Sequence, residues 1–359
     1  MSSTQDLGLF LPNNHSKYMI EWVGVDKIVY NEIEKIIKDN YEIADFKKAF
    51  QVKEWEKMSH NYHVICGEKE YLLRQYFVLK DKSKVEKISA ISSYLNSDGI
   101  PTPDVIKTKN MEDVVQSNNC FWQLFEFVSG NHYRGTQNQL RDIASKIALL
   151  HISLSKIPFE IVKKPKVEWS IDGWNKIFTK IADKQSTDQL DKLILQNSKF
   201  LLDRARLVSE KYDSFRLKFQ GIHRDLHPQN TIYKYDDMVA LLDFADVCVA
   251  ERARDVANSL HRFCRQFVVN AGIDWRTTLP TAIKIFLGTY NSINPLDKDE
   301  ICSIHILIMD EILRKIFVDA NHYLLTSNPD RFGNGEFEKK IGLLNESDYI
   351  GEIIDSYKT

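Results

Sequence analysis

Hydrophobic positions change their period near Gly130, and the change divides the 359 residues into two regions. Residues 1–25 show little periodicity and a Pro-Asn-Asn turn signal at Pro12, and read as an extension. From Asp26 onward, Ile28, Val29, Ile33, Ile36 and Ile37 recur at helical spacing and predict an amphipathic helix. Three strand-like pieces follow, FKKAFQVKEW, NYHVICG and YLLRQYFVL. The turn GEKE at 67–70 joins the last two as a hairpin. Val85, Ile88, Ile91 and Leu95 predict a second helix that ends at Asp98-Gly99. IPTPDVIKT and NCFWQLFEFVSG read as two further strands, the second buried by its composition.

Beyond Gly130 the texture is helical. QNQLRDIASKIALLHISLSKI predicts a long amphipathic helix, and helical patterns dominate from there to the end. The class is therefore α+β, with an αβ front lobe over 26–128 and a mostly helical rear lobe over 129–359.

Composition changes this picture little. With 43% apolar and 27% charged residues the chain has ample material for a core. A formal net charge of −2 and the lack of a polybasic run point away from nucleic acid and from anionic membrane surfaces. The apolar run IHILIM at 304–309 is far shorter than the ~20 residues a membrane helix needs. The N-terminus has neither the basic start nor the unbroken apolar stretch of a secretory signal. Five scattered cysteines form no C-x-x-C pair, so neither a disulfide framework nor a zinc site is expected, and a reducing cytoplasm is. No pattern sets an oligomeric state.

The chemistry concentrates in HRDLHPQN at 223–230, followed by LLDF at 241–244. Asp225 offers a carboxylate that can take a proton from a hydroxyl. Asn230 offers a neutral amide oxygen and Asp243 a charged one, the hard donors that Mg²⁺ prefers. Phosphoryl transfer needs a positioned nucleophile and cations on the phosphates more than covalent help, and this set supplies those parts. Taken singly, each residue has an ordinary reading: Asp225 and Asn230 as turn residues, Asp243 as a strand-end residue. The joint spacing carries the functional one.

This motif, H-x-D-x-x-x-x-N with a downstream Asp, resembles the catalytic and metal-binding segments of the aminoglycoside phosphotransferase and choline kinase superfamily. The likeness spans roughly 45–325 and is sharp over 221–260. It implies a two-lobe protein-kinase-like fold, small αβ N-lobe and helical C-lobe, that binds ATP and Mg²⁺ between the lobes. It implies Asp225 as the catalytic base, Asn230 and Asp243 as metal ligands, and Asp255 of ERARDVANSL as the residue tying down the catalytic loop. Arg74 in YLLRQY is placed on the α- and β-phosphates, and the backbone of Glu126, Phe127 and Val128 on the adenine edge. His223 is expected to pack under the loop and bond backbone, and His151 to be a core or helix-end residue. His227 is read as packing or substrate-facing, Asp246 as surface or near the metal or substrate.

Between Asp243 and Asp255 only eleven residues intervene, D-F-A replaces D-F-G, and no A-P-E follows. That is too short for a peptide-binding activation segment, so the acceptor is expected to be a small-molecule hydroxyl: amino sugar, sugar, amino alcohol or aminoglycoside-like. Over 291–359, 13 acidic against 7 basic residues give −6, a solvated surface or a wall for a cationic substrate. Trp169 and Trp174 are core residues by spacing, with stacking on a substrate ring as the alternative. The segment 55–63, where a phosphate-covering loop belongs, has no glycine, and Glu86 is the nearest glutamate to pair with Arg74. Two further readings stay open. His223, Asp225 and His227 alternate as metal-hydrolase ligands do, and the missing glycines fit a non-catalytic nucleotide-binding relative.

Overall fold

The computed structural model describes residues 20–53, 59–161, 169–185, 188–272 and 274–356. Its front lobe is an antiparallel sheet with one helix on each face. The elements are β1 (Trp22–Gly24), α1 (Lys27–Asn40), β2 (Phe46–Val52), β3 (Ser59–Cys66), β4 (Lys69–Tyr76), α2 (Lys82–Ser97), β5 (Val105–Ile106), β6 (Val115–Ser117) and β7 (Cys120–Glu126). The strand order is β1-β2-β3-β4-β7-β5, with β6 sharing the outer edge of β7. The predicted hairpin is β3–β4, and its register runs from Ser59 opposite Tyr76 to Cys66 opposite Lys69. Gly67 takes the positive φ of +60° that this tight turn needs. β1 lies inside the region read as an extension, and its three residues are too few to show a period.

Asp26 begins α1 by accepting the amides of Ile28 and Val29 at 2.8 and 2.9 Å. Its buried stripe of Ile33, Ile36 and Ile37 covers the outer face of the sheet, against Tyr62, Val64, Leu73, Trp122 and Leu124. The other face carries Tyr76 and Phe121 and meets α2. Val85, Ile88, Ile91 and Leu95 of that helix join one apolar core with the rear lobe. The sheet thus separates two cores, and α2 belongs to the one behind it.

The rear lobe contains α3 (Gln137–Leu154), α4 (Ile171–Asp183), α5 (Gln189–Gln196), α6 (Ser198–Tyr212), α7 (Arg252–Ala271), α8 (Trp275–Ile293), α9 (Lys298–Thr326) and α10 (Glu336–Ser356). Two short ribbons interrupt the helices. β8 (Phe219–Ile222) pairs with β11 (Cys248–Glu251), and β9 (Thr231–Lys234) with β10 (Asp237–Leu241). The motif residues 223–230 form the link from β8 to β9, and Asp243 lies between β10 and β11.

The lobes join at a tightly packed point. The backbones of Asn131 and Tyr233 exchange hydrogen bonds of 3.0 and 2.7 Å. Gly130 lies so close to this contact that a Cβ there would sit 2.5 Å from Ile232 Cγ2 and 2.6 Å from the Tyr233 carbonyl. Only glycine fits this approach. Among the described residues no helix is long and apolar enough to cross a membrane.

Candidate active site

Asp255, in the first turn of α7, fixes the 223–230 loop from below. Its carboxylate accepts the amides of His223 at 2.6 Å and Arg224 at 2.7 Å, and His151 Nε2 lies 3.2 Å from the same group. Tyr290 Oη holds the other nitrogen of His151 at 2.7 Å. With both amides captured, Arg224 is held at φ +70°, a left-handed conformation that costs a non-glycine residue on the order of 1 kcal/mol. The strain is local, and the two buried hydrogen bonds offset it.

His223 ties the loop to the strand leading into Asp243. Its Nε2 donates to the Leu242 carbonyl at 3.0 Å, and its Nδ1 accepts the Asp225 amide at 3.3 Å. Both nitrogens are therefore used, which removes His223 from any metal-hydrolase ligand set and supports the structural role expected of it. Among the described residues no group of three or more His, Cys, Asp or Glu is arranged to hold a metal ion.

Asn230 donates from Nδ2 to the Asp225 carbonyl at 2.9 Å and to its Oδ2 at 3.2 Å. That orientation leaves the amide oxygen Oδ1 for a cation. The Leu242 amide donates to the Asn230 carbonyl at 2.9 Å, bringing Asp243 alongside. His227 Nε2 lies 3.3 Å from Asp225 Oδ2, while its Nδ1 faces Gln229 Oε1 at 2.9 Å. Burial alone would raise the Asp225 carboxyl. The hydrogen bond and charge of His227, with His223 and Arg262, outweigh it and hold the group well below the usual carboxylate range. Asp225 is thus ionised at neutral pH.

From the front lobe, Arg74 Nη2 reaches Asp243 Oδ2 at 3.3 Å, and its Nε donates to Ser59 Oγ at 3.1 Å. Burial raises Asp243 too, but the Arg74 guanidinium lowers it further, so it is also held ionised. Asp243 takes φ +63°, the second strained residue of the site. The Asp243 carboxylate and the Asn230 amide oxygen are hard donors of the kind that fits a magnesium ion. Glu86 does not meet Arg74. It pairs with Lys82 at 3.5 Å on the exposed side of α2. Facing the sheet at that level is Ser89, hydrogen-bonded by Gln123, whose Oε1 accepts Tyr76 Oη at 2.8 Å.

At the hinge the Glu126 amide is already donated to the Asp104 carbonyl at 3.0 Å. Among the described residues the backbones of Phe127 and Val128 make no backbone hydrogen bond, which leaves them for a ligand edge. The Phe127 ring stacks on His63 with centroids 4.0 Å apart and planes at 15°. Of the glycine-free segment, residues 54–58 lie outside the described residues.

Trp174 is fully buried between Phe178 and Phe317, and Trp169 donates its Nε1 to Asp310 at 3.0 Å. Both are core residues. Asp246 is exposed after the Asp243 turn. The acidic residues of α9 are also engaged. Asp310 takes Arg254 at 2.6 Å, and Glu311 takes Arg314 with Lys315 at 3.5 Å. The wall of free acidic charge considered from the composition is therefore not what borders this part of the lobe.

Comparison with known proteins agrees with this geometry. A family model described as a phosphotransferase enzyme family matches residues 55–279. A homoserine kinase of Parvibaculum lavamentivorans is 23% identical over 260 residues, 72% of this chain and 75% of that protein. A second homoserine kinase, from Zymomonas mobilis, is 22% identical over 57% of this chain and 61% of its own length. Among solved structures, spectinomycin phosphotransferase with ADP and spectinomycin superposes with a TM-score of 0.66 at 17% identity, over 90% of this chain and 98% of that one. The likeness to that structure is one of fold. With the family model covering more than half of its length, the chain belongs to this phosphotransferase family and is a small-molecule kinase.

Proposed function

We propose that this kinase transfers the γ-phosphate of MgATP to the hydroxyl of a small amine-bearing metabolite, with Asp225 orienting that hydroxyl and accepting its proton. The observation that carries the reading is one connected network. Asp225 and Asn230 share a hydrogen bond on a loop clamped by Asp255, and Arg74 meets Asp243 across the cleft. Because Asp225 is ionised and its pKa is low, its main contribution is to hold the hydroxyl in line. The proton moves late, as suits a loose phosphoryl-transfer transition state.

In this reading Asn230 Oδ1 and the Asp243 carboxylate hold magnesium, which when bound neutralises phosphate oxygens. Arg74 leaves Asp243 for the phosphates, to which its planar fork of donors is suited. The adenine edge meets the Glu126 carbonyl and the free backbone groups of Phe127 and Val128. The stretch after Asp243 supports a small acceptor. It is taken up by β11, paired with β8 from Cys248 opposite Ile222 to Glu251 opposite Phe219, and leaves no platform for a peptide. The amine is supported by relatives named for homoserine, which carries both an amine and a hydroxyl.

A coupled ADP-release screen over L-homoserine, amino alcohols, amino sugars, aminoglycosides and neutral sugars tests the reading. Release that depends on one of the amine-bearing compounds is expected. Label from γ-labelled ATP entering many proteins of an extract, and no small molecule, would overturn it.

A further inference from the structure

In the proposed reading Arg74 gives up Asp243 when nucleotide binds, and its guanidinium must stay aimed at the phosphates once that carboxylate is gone. The front lobe supplies two contacts that travel with it. Arg74 and Tyr76 are two residues apart on β4 and so point from the same face of the sheet. Ser59 of β3 stands opposite Tyr76 in the register, and Gln123 of β7 stands opposite Arg74, which puts all four side chains on that face. The guanidinium carbon of Arg74 lies over the Tyr76 ring, 5.0 Å from its centroid, and Nε donates to Ser59 Oγ at 3.1 Å.

The ring is itself locked. Tyr76 is buried, and its Oη donates to Gln123 Oε1 at 2.8 Å. Gln123 is buried as well and donates in turn to Ser89 Oγ of α2. A buried tyrosine whose hydroxyl is pinned in this way does not swing away from the cation above it. The seat is also uncharged. A cation within about 6 Å of an aromatic face is held by the ring quadrupole, more strongly when the contact is desolvated. A hydroxyl and a ring hold the guanidinium without cancelling its charge, whereas a carboxylate in the same place would offset part of the charge that faces a phosphate. Glu86, the nearest glutamate in sequence, is engaged with Lys82 at 3.5 Å on the exposed side of α2.

We infer that Tyr76 and Ser59 are positioning residues for the nucleotide. Together they form a neutral seat that holds the fork of Arg74 toward the α- and β-phosphates, and Gln123 with Ser89 locks that seat to α2. The inference rests on the proposed nucleotide role of Arg74 and adds residues that act through it.

ADP and adenosine separate this role from a general one, since only ADP carries the α- and β-phosphates. Each is titrated calorimetrically, with Mg²⁺ present, into the full chain and its variants. Tyr76→Leu should weaken ADP binding by ~3- to 30-fold, the span of a buried cation–π contact, and leave adenosine within about twofold. Tyr76→Phe keeps the ring and should stay within about threefold of the wild type for ADP. Ser59→Ala removes one hydroxyl and should weaken ADP in the same direction, by ~3- to 10-fold. The deciding measurement is the double-mutant cycle with Arg74→Gln. Once the guanidinium is gone, neither Tyr76→Leu nor Ser59→Ala should weaken ADP further. Additive losses, on a background where Arg74→Gln itself weakens ADP, overturn the seat and leave the phosphate role of Arg74 standing. An equal loss on adenosine overturns the seat too, as does a Tyr76→Phe protein no better than Tyr76→Leu. Should Tyr76→Leu not fold, the Ser59→Ala cycle decides. An Arg74→Gln protein that binds ADP as the wild type does overturns the phosphate role of Arg74 and this inference with it.

Discussion

Arg74 and Asp243 face each other across the cleft at 3.3 Å, so a cation of the front lobe rests on a carboxylate of the rear lobe. Each is in effect the other's counter-ion. In the proposed reading, nucleotide binding exchanges this ion pair for two new ones, Arg74 with phosphate and Asp243 with metal. Asp243→Ala is therefore expected to weaken Mg²⁺-dependent ATP binding more than Asn230→Ala, since a charged ligand neutralises the metal and a neutral amide only completes its shell. Titrations with labelled ATP, with and without Mg²⁺, read the order directly. A weaker Asn230 variant would reverse the metal roles.

Asp225→Asn should keep ATP affinity and lose ~10²–10⁴-fold in kcat, the usual range for a positioned acid-base group. The amide preserves the size of the side chain and removes the anion that the acceptor hydroxyl faces. Retention of more than about a third of the wild-type kcat would end the assignment.

Asp255→Ala should destabilise the rear lobe by about 3–5 kcal/mol, the range seen when one partner of a buried charged network is removed. The amides of His223 and Arg224 lose their acceptor, and so does His151, in a fully buried setting. Urea unfolding measures the loss. Asp255→Asn retains one acceptor oxygen and should lie between the two.

Glu311 gives a pH dependence of defined sign. Burial alone would raise its carboxyl, but Arg314, with Lys315 behind it, holds the folded-state value at about 2, below the ordinary 4.5. The unfolded chain takes up the proton first as pH falls. The stabilisation is thus fully present above about pH 4.5 and is lost as pH falls through about 2. Wild type and Glu311→Gln should differ by a few kcal/mol in denaturant unfolding at neutral pH and converge over that acid window. A gap that stays constant down to about pH 2 would mean the carboxylate charge is not what stabilises.

That Asp225, Asn230 and Asp243 come together was legible in the sequence because they stand at fixed short separations: five from Asp225 to Asn230, and thirteen on to Asp243. The β3–β4 hairpin and the amphipathic helices were legible for a related reason, since turn chemistry and period are local. What escaped depends on partners far along the chain. β1 and β6 have three residues each and exist only through pairing with β2 and β7. Glu86 is the nearest glutamate to pair with Arg74 by sequence, yet the face of α2 that meets the sheet presents Ser89 instead. The acidic tally over 291–359 could not distinguish engaged from free carboxylates. Asp310 and Glu311 are spent on Arg254 and on Arg314 with Lys315.

The Gly130 contact gives the molecule a fulcrum in an unusual place. The hinge does not swing freely from the end of β7, because Asn131 is fastened to Tyr233, three residues past Asn230. A lever pivoted that close to one load moves it very little and moves the distant load a great deal. In the proposed reading, a closure of the lobes on nucleotide would carry Arg74 farther than Asp225 and Asn230, so that the phosphate would be brought to an acceptor hydroxyl held on a fixed anvil.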